Sequence, residues 1–160
     1  KKRPDEPCVL FLEDAFGSGE HPETLRAAGF VVECFRDHFE AKPGKPEQSV
    51  KDPRIIRLCH ERNFVLITTD KQLCYTHAES VKRTDIVVIA TESNRCAISI
   101  WVDALIRAKP RIERLVKNTR KNSERPCSAR ISRTGAVTVD PNFKAKNTTR
   151  RRRPREGQEK

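Results

Sequence analysis

The sequence predicts an α/β domain in which a mostly parallel sheet is covered by helices on both faces. Apolar residues gather in short runs at 8–12, 64–68 and 86–90 that stop abruptly at polar residues. Runs of that length without alternation read as strands buried on both sides. Between them lie segments of helical composition, and strands separated by helices imply parallel crossovers. With 160 residues, 36% of them hydrophobic, the chain can fill one core but not two.

Residues 1–7 hold two prolines and mixed charge and read as a flexible arm, leaving a domain over 8–140 and a tail over 141–160. Val9-Leu10-Phe11-Leu12 is the first strand, stopped by Glu13-Asp14, and Phe16-Gly17-Ser18-Gly19 is a turn. A helix over 20–28 is closed by Gly29 as its C′ residue. The β-branched and aromatic segment 30–35 is the second strand. Residues 42–49 carry two prolines and a glycine and form a surface loop. Asp52-Pro53 opens a helix, since Asp suits the N-cap and Pro the first helical position, and Asn63 closes it. The third strand, 64–67, runs into Thr68-Thr69-Asp70, a helical stretch reaches Lys82, and 85–90 is the fourth strand. Ile98, Trp101, Val102, Leu105 and Ile106 mark the core face of a helix over 94–108, broken by Pro110, and another helix covers 111–120. Alternating segments at 127–132 and 136–139 around Arg133-Thr134-Gly135 predict a C-terminal β-hairpin. Beyond Pro141 only Phe143 and Ala145 are apolar, so the tail is expected to be disordered.

The net charge of +11 is uneven: the tail from Phe143 carries +6. A basic domain with a basic arm points to a polyanion partner. The tail has no apolar face for a membrane, and no run approaches the roughly 20 apolar residues of a membrane helix. The polar start lacks the layout of a secretion signal, so a cytoplasmic protein with no membrane partner is expected. Cysteines 8, 34, 59, 74, 96 and 127 mostly sit in apolar runs and are expected to be reduced and buried. No CxxC, Walker loop, dinucleotide fingerprint or Ser-His-Asp order is present, and a structural zinc is not expected.

In parallel α/β sheets, sites form beyond the carboxyl ends of the strands. Three predicted strands end in acid there: at Glu13-Asp14, near Asp37 and at Asp70, while Asp52 opens the helix leading into the third strand. Each has a plainer role, as cap, loop or solvated surface. Converging carboxylates repel one another, and a hard divalent cation with oxygen ligands relieves the repulsion. Such a cation beside a phosphodiester can activate water and steady the developing oxyanion, while Lys and Arg hold the flanking backbone.

Residues 9 to about 139 resemble the PIN-like domains associated with VapC-type toxins. The resemblance rests on Leu10-Phe11-Leu12-Glu13-Asp14-Ala15-Phe16-Gly17, Leu25-Arg26-Ala27-Ala28-Gly29-Phe30, Arg36-Asp37-His38-Phe39 and Val65-Leu66-Ile67-Thr68-Thr69-Asp70-Lys71, in matching order and spacing. It implies a PIN-like three-layer sandwich, Mg²⁺- or Mn²⁺-dependent endoribonuclease chemistry, and a toxin role with a cognate antitoxin; a homodimer is a further candidate assembly. By motif, Glu13 stands where the family has its first-strand Asp, Asp52 on the acid opening the middle helix, and Asp70 on the acid after the third strand. These three are the implied catalytic residues, and Glu13, Asp14, Asp37, Asp52 and Asp70 the implied metal set. Glu13 is one methylene longer than the family's Asp, so either it reaches the ion from a retracted position or Asp14 takes the role. Lys71 and the run Arg150, Arg151, Arg152 and Arg153 are the candidate RNA contacts; the run could raise RNA affinity through counterion release, pair with an acidic protein partner, or do neither. A non-catalytic nucleic-acid- or partner-binding module on the same frame is the alternative, and a deoxyribonuclease a third reading.

Overall fold

The chain folds around six strands and seven helices in a computed structural model that describes residues 6–14, 16, 19–39, 52–122 and 126–141. The expectations for the first five residues of the arm, the loop at 42–49, the tail from 142 and the arginines at 150–153 lie outside the described residues. In chain order the elements are β1 (Val9–Leu12), α1 (His21–Ala27), β2 (Val31–Cys34), α2 (Phe35–His38), α3 (Asp52–Arg62), β3 (Phe64–Thr68) and α4 (Leu73–Thr76). There follow α5 (Ala78–Lys82), β4 (Val87–Thr91), α6 (Ile98–Arg107), α7 (Lys109–Asn122), β5 (Cys127–Ile131) and β6 (Val137–Val139).

The strands form one sheet in the order β2-β1-β3-β4-β5-β6. All neighbours are parallel except β5 and β6, which pair antiparallel through Ala129 with Val139 and Ile131 with Val137. Alternate residues of each strand serve opposite cores. Leu10, Leu12, Val65, Ile67, Val87 and Ile89 pack with Leu25 of α1, Trp101 and Leu105 of α6 and Ile112 of α7. Phe11, Phe64, Leu66 and Val88 pack on the other face with Ile55, Ile56 and Cys59 of α3 and Val81 of α5. Burial on both sides explains why β3 and β4 read as unbroken apolar runs: every residue of either is buried. Among the described residues no helix is long and apolar enough to cross a membrane. All six cysteines are free thiols, four of them buried.

Four boundaries differ from expectation for local reasons. The second strand stops at Cys34 rather than running on to Phe35, because the Asp37 carboxylate accepts the Cys34 N–H at 3.0 Å and starts the turn of α2. The stretch after Asp70 is two short helices separated at His77. The helix expected from residue 94 starts at Ile98, because residues 93–95 fold into a turn in which the Arg95 N–H meets Ser93 Oγ at 3.4 Å. Pro110 does not end a helix; α6 ends at Arg107, and Pro110 sits in the first turn of α7, where its missing N–H costs no helical bond.

Helix closure follows the sequence closely. Gly29 has φ +99° and its N–H bonds Arg26 O at 2.9 Å; a Cβ there would lie 3.2 Å from Lys109 Cε, so the position suits glycine twice over. Asn63, at φ 62°, performs the same left-handed turn between α3 and β3.

The strand order places the site. From β1 the chain moves outward to β2, then returns past β1 to lay β3, β4 and β5 on its other side. Connections therefore diverge at the boundary between β1 and β3, and such a switch point opens a crevice beyond the carboxyl ends of the two strands.

Candidate functional site

Glu13 and Thr68-Thr69-Asp70 emerge side by side at that boundary, because Leu12 is in register with Ile67. The Glu13 N–H extends the ladder to Ile67 O at 3.3 Å, and its side chain reaches across to the end of β3. Thr68 Oγ1 donates to Glu13 Oε1 at 2.9 Å; Thr69 gives both its backbone N–H, at 2.9 Å, and its hydroxyl, at 3.0 Å, to Oε2. The longer Glu side chain is thus engaged by three donors from the neighbouring strand. Thr68 Oγ1 in turn accepts the Asp70 N–H at 3.0 Å, so one hydroxyl links the two acids' segments. Asp70 Oδ1 accepts the Gln72 N–H at 2.9 Å, which shapes the turn into α4. Its Oδ2 makes no hydrogen bond or ion pair among the described residues.

The other predicted acids go elsewhere. Asp14 Oδ1 accepts from Arg36 Nε at 3.3 Å in an exposed pair. Asp37 Oδ2 caps α2 through the Cys34 N–H. Asp52 lies at the start of α3, whose N-terminus faces the same edge of the sheet, but Asp52 Oδ2 meets His77 Nε2 at 3.1 Å. The structure therefore brings together Glu13 and Asp70, through Thr68, and ties Asp14, Asp37 and Asp52 to separate partners. Among the described residues no group of three or more His, Cys, Asp or Glu side chains is placed to share a metal ion. A magnesium-sized cation would have only Asp70 and Glu13 to meet at the ends of β1 and β3. Mg²⁺ is commonly held by one or two carboxylates with water completing its shell. Asp70 has an oxygen outside the turn bond, and Glu13 has used three of the roughly four lone-pair positions a carboxylate offers.

Beside Asp70 opens a cavity of about 550 Å³, walled by residues 69–72 after β3 and 93–95 after β4. Lys71 and Arg95 bring two positive charges to it, and Gln72 and Asn94 two carboxamides. The sequence singled out Lys71 but not Ser93, Asn94 or Arg95. Their only signal was position: they follow the fourth predicted strand as Asp70 follows the third.

The remaining His and Arg contacts are structural. His60 pairs with Asp85 at 3.0 Å and His38 with Glu33 at 2.8 Å. At the amino edge of the sheet, Arg120 donates to Glu6 O, Pro7 O and Asn63 O at 3.0, 3.4 and 3.2 Å. No protein family, curated protein or solved structure matches this chain.

Proposed function

We propose that this chain is a metal-dependent endoribonuclease with a PIN-like fold, working at the carboxyl ends of β1 and β3. The observation that carries the reading is the Glu13–Thr68–Thr69–Asp70 constellation at the switch point, opening on a polar cavity with Lys71 and Arg95 on its wall. Asp70 and Glu13 are the residues that would hold Mg²⁺ or Mn²⁺. When bound, the cation neutralises the carboxylates against the phosphate and activates the attacking water. Thr68 and Thr69 fix the Glu13 carboxylate, and the turn bond from Gln72 fixes Asp70. Lys71 and Arg95 offset the phosphate charge, and an anionic strand is drawn to a chain of net charge +11. The resemblance of the strand-end motifs adds a cytoplasmic toxin role with a cognate antitoxin, and leaves a homodimer as a candidate assembly.

A second reading is a non-catalytic RNA- or partner-binding module on the same frame. It is favoured by the three protein donors already on Glu13 and by the want of a three-ligand group among the described residues. Parallel digestion of RNA and DNA in Mg²⁺, Mn²⁺ and Zn²⁺ by the wild type and Asp70→Asn separates the readings. Divalent-dependent RNA cleavage lost in the variant supports the first; tight RNA binding with no cleavage in any metal supports the second.

A further inference from the structure

We propose that the cavity between the β3–α4 and β4–α6 turns is a subsite for one unstacked nucleotide of a single strand, with adenine as its preferred base. Its volume, about 550 Å³, lies within the roughly 300–1,000 Å³ of pockets that enclose small ligands. The side chains of Lys71, Gln72, Asn94 and Arg95 make no hydrogen bond or ion pair among the described residues, and all four residues are exposed on its wall. The backbone that carries them is held on both sides. Leu73 N bonds Asp70 O at 3.1 Å after β3, and after β4 Thr91 Oγ1 bonds Ser93 O at 2.7 Å while Glu92 N bonds Ile131 O at 3.0 Å. Four polar side chains without a partner among the described residues, on turns held by these bonds, are available to a ligand with both negative charge and a hydrogen-bonding edge.

The composition of the wall selects that ligand. Lys71 and Arg95 outweigh Asp70, so the local field favours a phosphate. Carboxamides pair in two-bond fashion with the adenine edge, the oxygen accepting from N6–H and the amide N–H donating to a ring nitrogen. The deep, narrow major groove of an RNA duplex hides that edge from side chains, so Gln72 or Asn94 can reach it only on an unpaired base, which is how proteins read single-stranded RNA. Among the described residues the wall offers no aromatic ring for stacking, so discrimination falls to the two amides. This inference rests on the proposed function in placing the nucleotide beside the reactive phosphate at Asp70, and in nothing else.

The test is binding of AMP, GMP, CMP, UMP and inorganic phosphate to the full chain in EDTA, followed by backbone amide shifts. AMP is expected to shift the Lys71, Gln72, Asn94 and Arg95 signals and to bind about tenfold or more tighter than UMP. A Gln72→Ala/Asn94→Ala variant should lose that preference while still binding phosphate, and Lys71→Ala/Arg95→Ala should weaken every nucleotide, with unfolding midpoints unchanged in both. Equal affinity for all four nucleotides, or shifts confined to other residues, overturns the proposal. Because no metal is present, AMP binding as described in a protein that never cleaves RNA would retain the subsite and remove the nuclease reading. RNA cleavage with nucleotide shifts elsewhere would do the reverse.

Discussion

Thr69 meets Glu13 twice, giving its backbone N–H at 2.9 Å and its hydroxyl at 3.0 Å to the same carboxylate oxygen. That double contact joins residues 56 apart in the chain and closes the gap between the ends of β1 and β3. Glu13 is thus a strand-end staple as well as an acid of the proposed catalytic site.

The staple predicts that Glu13→Gln is costly although it is isosteric. The amide fits best with its oxygen on Thr69, which leaves its NH₂ facing Thr68 Oγ1, where the hydroxyl must turn from donating to accepting. Reversal of that bond, with loss of the charge assistance of all three, should lower stability by about 1–3 kcal/mol, read from urea unfolding. A variant as stable as wild type would show that the three bonds contribute nothing to the fold.

Arg120 predicts a change confined to stability. Its guanidinium gathers three backbone carbonyls at the amino edge, opposite the proposed site, and Arg120 is only 9% exposed. Arg120→Ala leaves those carbonyls unpaired and should cost about 2–4 kcal/mol. RNA cleavage and binding below the new midpoint should be unchanged. A loss of activity in still-folded protein would contradict the separation of the two edges.

Readability from sequence followed the range of the interaction. The strands announced themselves because burial on both faces makes each a bare apolar run, and α3 because Asp52-Pro53 and Asn63 mark its ends. The acids after β1 and β3 were visible for the same reason. Which acid the Thr68 and Thr69 hydroxyls meet was not, because β1 lies beside β3 only through a return of the chain past β2, and nothing local pairs Asp52 with His77. The cavity residues Asn94 and Arg95 were read as the start of a helix. Their turn has a wall to build only once β4 lies beside β3.

Two thiols predict the alkaline limit of the fold. Burial pushes the Cys8 thiol up to about 11 and the Cys59 thiol higher still. The folded chain holds these protons after the unfolded chain has released them, so stability falls as pH rises from the ordinary thiol value of 9.0 through about 11. Urea midpoints should be flat below pH 8 with respect to Cys8 and decline above 9, and Cys8→Ala should flatten part of that decline. An identical decline in the variant would assign it to other groups.

The arginine run predicts salt-dependent affinity. Replacing Arg150, Arg151, Arg152 and Arg153 with Ala should reduce the slope of log affinity against log salt for single-stranded RNA by up to about 3, at roughly 0.7 per phosphate contact. Fluorescence anisotropy across a salt series measures it. An unchanged slope would remove the tail from the RNA interface.

Asp70→Asn separates a divalent-cation site from a merely structural turn. Asn keeps the oxygen that accepts the Gln72 N–H, so the turn and the unfolding midpoint should be preserved. It removes the charge a divalent cation would need. The wild type is expected to cleave RNA in Mg²⁺ or Mn²⁺ and not in EDTA, and the variant not at all. Wild-type rates of divalent-dependent cleavage by folded Asp70→Asn would contradict the cation site.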